Sequence, residues 1–228
     1  MEAANEKYLE LALSTPLFSG FSRKEAELLI RTIDAEYLVF HKGQTLMEVK
    51  EAEANGNLML VLSGMVQLVR FGLHGERFLI DYSLEGSVIG YIGSISSRYL
   101  FSSSFIAGRD TAVLRLPARE QEGLSADLTS RLEKNLLDII SDKYARILQK
   151  GDITTRRFVR DKILTYLSYE SQLKGRSSFD IPLNRQELAD YLSVDRTTLS
   201  SEITRLQAEG IFRTKKCHFE LLQKISAK

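Results

Sequence analysis

Residues 183–206 read LNRQELADYLSVDRTTLSSEITRL, and this stretch decides how the chain is organised. Asn184 is a good N-cap, and Glu187 is placed to reach back to its backbone, so a helix is predicted just after Pro182. Leu188, Ala189 and Leu192 fall on its inward face, with small Ala189 where two helices must approach closely. Ser193-Val194 makes a tight turn. Asp195 caps a second helix, whose buried face is Leu199, Ile203 and Leu206. Two short amphipathic helices joined by so little chain are expected to cross steeply, as in a helix-turn-helix.

The outward residues near the start of the second helix are Arg196, Thr197, Ser200 and Ser201, with Thr198 beside them. Short hydroxyls and one guanidinium at a helix N-terminus, where orphan N–H groups favour anions, suit base edges and phosphates. Arg185 and Gln186 on the first helix and Arg205 on the second are placed to meet the nucleic-acid backbone. Downstream, Ile211 to Leu221 has apolar ends and a basic tip, the pattern of a hairpin wing offering Arg213, Lys215 and Lys216 to phosphate. The plain alternatives are a helical hairpin with solvated polar faces and a lysine-rich solvated turn. Cys217 and His218 stand side by side, but two adjacent ligands do not make a metal site.

Working upstream, a short strand is predicted at Phe179–Pro182, a loop at Gly175-Arg176-Ser177-Ser178 and a helix near Val159–Leu173. From Ser125 to about Phe158 there is no proline, and aliphatics repeat at spacings of three and four. One stripe is Leu128, Leu132, Leu136, Ile139 and Lys143; its neighbour is Leu137, Ile140, Tyr144 and Ile147. A helix with two apolar stripes has two partners to satisfy. One stripe is expected on the preceding domain and the other on a second copy of the helix, in a two-fold dimer; burial within one subunit is the alternative. Gly151 weakens the helix and marks a candidate hinge.

Between Ala35 and Pro117 the period changes. Short β-branched and aromatic runs alternate with Gly-containing turns at Lys42-Gly43, Ser63-Gly64, His74-Gly75, Glu85-Gly86 and Ala107-Gly108. That spacing fits an antiparallel barrel or sandwich of about eight strands. Lys7 to about Ile33 reads as short helices interrupted at Pro16 and Gly20.

Composition is that of a globular chain: 228 residues, 43% hydrophobic and 27% charged. The net charge of +1 conceals a gradient, from −4 over residues 1–126 to +2 over 127–158 and +3 over 159–228. Positive charge at the C-terminal side is the sense expected for phosphate contact. A single cysteine rules out an internal disulfide and a thiolate-held cluster, and points to a reducing, cytoplasmic setting. The N-terminus has no leader pattern and no stretch approaches the length of a membrane span, so no membrane is expected. Neither a cofactor nor a metal is expected.

The order of these parts, with spaced glycines (Gly43, Ser63-Gly64, Gly86, Ile89-Gly90-Tyr91-Ile92-Gly93) and the Arg185-Gln186-Glu187-Leu188-Ala189 motif running on to Thr204-Arg205-Leu206, resembles the cyclic-AMP receptor protein and fumarate–nitrate regulator (CRP/FNR) family of bacterial transcription factors. The resemblance covers about residues 15–222. It implies an α+β chain: a double-stranded β-helix of the cyclic-nucleotide-binding jelly-roll kind over 1–124, a dimerisation helix and hinge over 125–158, and a winged helix-turn-helix over 159–228. It also implies promoter DNA and a second copy of the chain as partners, and RNA polymerase if the protein activates.

The departures from the family pattern carry information. Cyclic-nucleotide binders have Gly-Glu-Leu-Gly and an Arg-Ser-Ala phosphate clamp, whereas this chain has Gly90-Tyr91-Ile92-Gly93 and Phe101-Ser102-Ser103. Without that glutamate and arginine, ribose and phosphate lose their partners, so cyclic AMP is not expected. Oxygen sensing through a four-cysteine cluster is excluded, and His41 and His74 sit in turns rather than at a haem. Phe78, Tyr82, Tyr91, Phe101, Ser102, Ser103 and Phe105 describe either the lining of a small-molecule effector pocket or a filled core. Thr197 and Ser201 replace the glutamate and arginine with which relatives read TGTGA- or TTGAT-type half-sites, which implies a different, still roughly palindromic operator. No hydrolase, metalloprotease or phosphate-loop motif is present. A scaffold whose winged helix binds protein is a further alternative.

Overall fold

A computed structural model describes residues 2–48, 57–72, 74–90, 103–117 and 124–224. The chain forms two compact units, residues 1–143 and 144–228. In the first, α1 (Glu2–Leu13), a 3-10 turn (Pro16–Phe18) and α2 (Arg23–Thr32) precede eight strands among the described residues. These are β1 (Glu36–Phe40), β2 (Thr45–Glu48), β3 (Leu58–Ser63), β4 (Met65–Phe71), β5 (Arg77–Leu84), β6 (Val88–Gly90), β7 (Ser103–Ala107) and β8 (Thr111–Leu116). They form two antiparallel four-stranded sheets, ordered β1-β8-β3-β6 and β2-β7-β4-β5. The eight-strand sandwich read from the turn spacing is the observed fold.

Side chains alternate across a strand, and β3 uses both of its faces. Met59 and Val61 join Met47, Val66, Ile89, Phe105 and Val113 in a core drawn from both sheets. Leu60 and Leu62 point the other way, into a second core with Leu9, Leu17, Phe18 and Leu29. That is why residues 58–62 form an unbroken apolar run instead of an alternating one. Gly64 turns β3 into β4 with φ +90°, and a Cβ there would lie 2.4 Å from the Asp110 carbonyl oxygen, so the position needs glycine on both counts.

The long helix α3 (Ala126–Thr155) runs through Gly151, the candidate hinge, without a break. Beyond Gly151, Ile153 is buried and Asp152 accepts a hydrogen bond from Tyr169 Oη at 2.7 Å. The end of α3 is therefore anchored in the second unit, and the helix stops four residues later, ahead of Phe158. The two stripes also separate. Leu128, Leu132 and Ile139 are buried in the second core of the first unit, with Leu136 packed against it, so this is the stripe that rests on its own subunit. Lys143 likewise turns inward, onto Asp81. On the other side Leu137, Tyr144, Ile147 and Leu148 are each more than half exposed, and Ile140 is half-buried.

In the second unit α4 (Val159–Lys174) ends on Gly175, in the left-handed conformation favoured at helix C-termini. Then follow β9 (Ser178–Asp180), α5 (Arg185–Leu192), α6 (Arg196–Ala208), β10 (Phe212–Lys215) and β11 (His218–Leu221), the strands pairing in the order β10-β11-β9. Phe179, Phe212 and Phe219 are fully buried, one from each strand, and the Phe212 and Phe219 rings meet edge to face at 5.4 Å. Among the described residues no helix is long and apolar enough to cross a membrane.

Candidate nucleic-acid interface

Local hydrogen bonds set both helices of the reading head. Asn184 Oδ1 accepts from the amides of Gln186 (2.9 Å) and Glu187 (3.0 Å), while Glu187 Oε2 accepts from the Asn184 amide at 2.8 Å. This is the capping box expected from the sequence. α5 ends at Ser193, which takes a left-handed conformation (φ 52°) that few residues other than glycine, asparagine and aspartate adopt. Asp195 Oδ1 then accepts from the amides of Thr197 (2.7 Å) and Thr198 (3.0 Å), starting α6. Those bonds, that to Thr198 foremost, hold the Asp195 carboxyl below its ordinary range.

Capping fixes the rotation of α6. Leu199, Ile203 and Leu206 are buried as predicted, which leaves Arg196, Thr197, Thr198 and Ser201 exposed and Ser200 half-buried. The face offered by the first two turns is thus small, hydroxyl-rich and cationic at one point. The wing is β10 and β11, paired from Phe212↔Leu221 to Lys215↔His218. Lys215 and Lys216 are exposed at its tip, Lys216 with φ 56°.

Other predicted contacts are less available. Arg185 is half-buried with its guanidinium 5.8 Å from the Phe219 ring, and burial lowers its pKa. Gln186 Nε2 donates to Asp190 Oδ1 at 2.8 Å. Arg205 Nε is 3.1 Å from Glu209 Oε1, so this cation is held along its own helix. Arg213 lies 3.7 Å from Glu220 across the hairpin. Arg185 helps build the wing's base, and Arg205 and Arg213 have carboxylate partners that phosphate must displace.

In the β-roll, Tyr91, Phe101 and Ser102 lie outside the described residues. Directly opposed residues of an antiparallel pair share a face. Arg70 opposes both Phe78 and Ser103, so these two proposed pocket residues come together, and the Arg70 guanidinium stands 5.5 Å from the Phe78 ring. Tyr82 opposes Gln67 and so belongs to the other face of the sheet. Asp81 and Ser83 oppose Leu68 and Val66 and point toward the inter-sheet core, where Lys143 Nζ meets them at 3.6 and 3.3 Å. The sequence signal for this cluster was a single charge inside the apolar run RFLIDYSL. Among the described residues no group of three or more metal-ligating side chains assembles.

A helix-turn-helix with a wing on a three-stranded sheet, following a β-roll and a long helix, defines a DNA-binding regulator of the winged-helix class. Residues 161–224 match the Crp-like helix-turn-helix domain. The transcriptional activator protein FnrA of Stutzerimonas stutzeri is 23% identical over 189 residues, 81% of this chain and 75% of its own. The nitrogen fixation regulation protein FixK of Bradyrhizobium diazoefficiens is 23% identical over 176 residues, 75% of this chain and 71% of its own. The solved structure of FixK2 from Bradyrhizobium japonicum superposes with a TM-score of 0.63 at 17% identity, covering 83% of this chain and 93% of that one. Over most of its length the chain is similar to regulators of the CRP/FNR family, and it is a DNA-binding transcription regulator of that type. The relatives are transcription regulators, not enzymes.

Proposed function

We propose that this chain reads promoter DNA as a homodimer in the cytoplasm, entering the major groove with α6 and holding the flanking phosphates with the wing. The observation that carries this reading is the exposed set Arg196, Thr197, Thr198 and Ser201 on the first turns of a helix whose opposite face is buried. Arg196 is the base-reading cation, and Lys215 and Lys216 are phosphate contacts. The exposed stripe Leu137, Tyr144, Ile147 and Leu148 supports pairing of α3 with its copy, which sets two half-sites about one helical turn apart.

Effector control is proposed for the end of the roll where Phe78 and Ser103 face Arg70, with cyclic AMP not the ligand. FnrA is named a transcriptional activator, and by that likeness the present chain works through RNA polymerase. The test is selection of duplexes from a random pool by the full-length protein, followed by footprinting. A salt-sensitive palindromic footprint is expected. Recovery of no enriched sequence, with or without cell extract, overturns the reading.

A further inference from the structure

The last carbonyls of a helix have no intrahelical donor. At the end of α5 the amides of Val194 and Ser193 reach the carbonyls of Ala189 (3.0 Å) and Asp190 (3.4 Å). The next two carbonyls are met by lysines from outside the helix-turn-helix. Lys150 of α3 donates to the Tyr191 carbonyl, and Lys162 of α4 donates to that of Leu192 at 3.1 Å and lies 3.5 Å from that of Ser193. Lys150 Nζ also sits 3.6 Å from the centre of the Tyr191 ring, which itself packs edge to face on Tyr166 of α4 at 5.7 Å. Cations belong at this end of a helix, where the backbone dipole is negative.

A third cation acts on α6. Arg160 is 2.6 Å from Glu209 and 3.9 Å from Glu202, both carried by the C-terminal half of α6 or its cap. Arg160 lies in the first turn of α4, the wrong end of a helix for a positive charge, so these carboxylates account for its place. The two lysines hold the turn between α5 and α6, and Arg160 holds the far end of α6.

We propose that Lys150 is a positioning residue for DNA reading: it ties the end of α3 to the turn that aims α6, with Lys162 and Arg160 completing the grip. Lys150 stands one residue before Gly151, on the same continuous helix that carries the exposed dimer stripe. A shift or rotation of α3 at that end therefore bears on the carbonyl of Tyr191, four residues before the cap of the recognition helix. The proposal rests on the DNA-binding reading above.

The test uses full-length protein and the variants Lys150→Met, Lys150→Gln and Lys150→Arg, without DNA and with a duplex selected in vitro by the wild type. In Lys150→Met, hydrogen exchange at the amides of Ser193, Val194, Thr197 and Thr198 is expected to quicken. The dissociation constant for the selected duplex should rise on the order of tenfold. Its salt dependence should stay that of the wild type, because no phosphate contact is lost. Lys150→Arg should restore both, and Lys150→Gln should fall between. Unchanged exchange, or quicker exchange with unchanged DNA affinity, overturns the proposal. So does a salt slope smaller by about one, which would make Lys150 a phosphate contact. If the wild type selects no duplex the DNA-binding reading fails, and exchange alone then decides whether the grip exists. Should Lys150→Met fail to fold, Lys150→Gln and Lys150→Arg carry the same comparison.

Discussion

Lys143 Nζ lies 3.6 Å from Asp81 Oδ2, joining the middle of α3 to β5, and the two side chains are only 19% and 10% exposed. Ser83 Oγ, 3.3 Å from the same ammonium, supplies a second partner. Removing one member of such a pair strands a charge in a poorly solvated place, whereas replacing both leaves none. Lys143→Met or Asp81→Leu alone should therefore cost about 2–4 kcal/mol in urea unfolding, and the double variant markedly less than the sum. Additive single losses would show that the two groups do not interact.

The link between α2 and α3 gives the first unit an acid-sensitive contact. Arg131 Nη2 is 2.5 Å from Glu25 Oε1, and Glu25 also accepts from the amide of Ser22 at 2.7 Å. The Arg131 bond first, and the Ser22 bonds next, push the Glu25 carboxyl from 4.5 down to about 2. A carboxyl lowered in the folded state contributes stability that is complete above its unfolded value and is lost as pH falls through the folded one. Glu25→Gln should flatten the decline of stability between pH 4.5 and about 2, followed by circular dichroism of acid-titrated samples. An acid limb as steep as the wild type's would refute the assignment.

On DNA, base readout and phosphate contact should separate by variant. Arg196→Ala is expected to weaken a selected duplex by about 1–3 kcal/mol while leaving random duplex nearly unchanged. Lys215→Ala and Lys216→Ala should weaken both alike and each lower the salt slope by about one. Equal losses on both duplexes for Arg196→Ala would remove it from the base-reading set.

Tyr144 and Ile147 lie a turn apart on α3 and are 61% and 51% exposed. Tyr144→Glu with Ile147→Glu puts like charges on the proposed seam, and the expected outcome is a monomer in sedimentation velocity with the secondary structure retained. The single change Leu132→Glu, at a residue that faces the subunit's own core, should instead unfold the first unit. A dimer that survives the first pair of changes would place the contact elsewhere.

The reading head was legible because its determinants are local. Asn184 with Glu187, and Asp195 ahead of Leu199, act within four residues, so capping and helical period specify both helices and the face each buries. The β-roll was legible in outline from its turns, but Tyr82 was grouped with Phe78 and Ser103. A β-bulge between Leu68 and Val69 shifts the register, leaving Phe78 opposite Arg70 and Tyr82 opposite Gln67. One residue of slip exchanges the faces of a strand, and no local pattern records it. Arg185 and Arg205 were read as contacts to the nucleic-acid backbone, since burial against Phe219 and pairing with Glu209 come from packing and side-chain rotamer choice, not from composition.

By itself the sequence determined the elements and their order, the two stripes of α3, and the rotation of α6 that exposes Arg196 to Ser201, since each follows from short-range periodicity and caps. Only the tertiary structure decided which stripe of α3 is consumed at home, that the helix is anchored beyond Gly151, and that Lys150 and Lys162 meet the last carbonyls of α5. Those outcomes depend on contacts between residues well separated in the chain, 17 positions for Asp152 with Tyr169, 41 for Lys150 with Tyr191 and 30 for Lys162 with Leu192. Such pairings are set by how whole faces pack, and the same lysines on a different face would have been ordinary solvated charges.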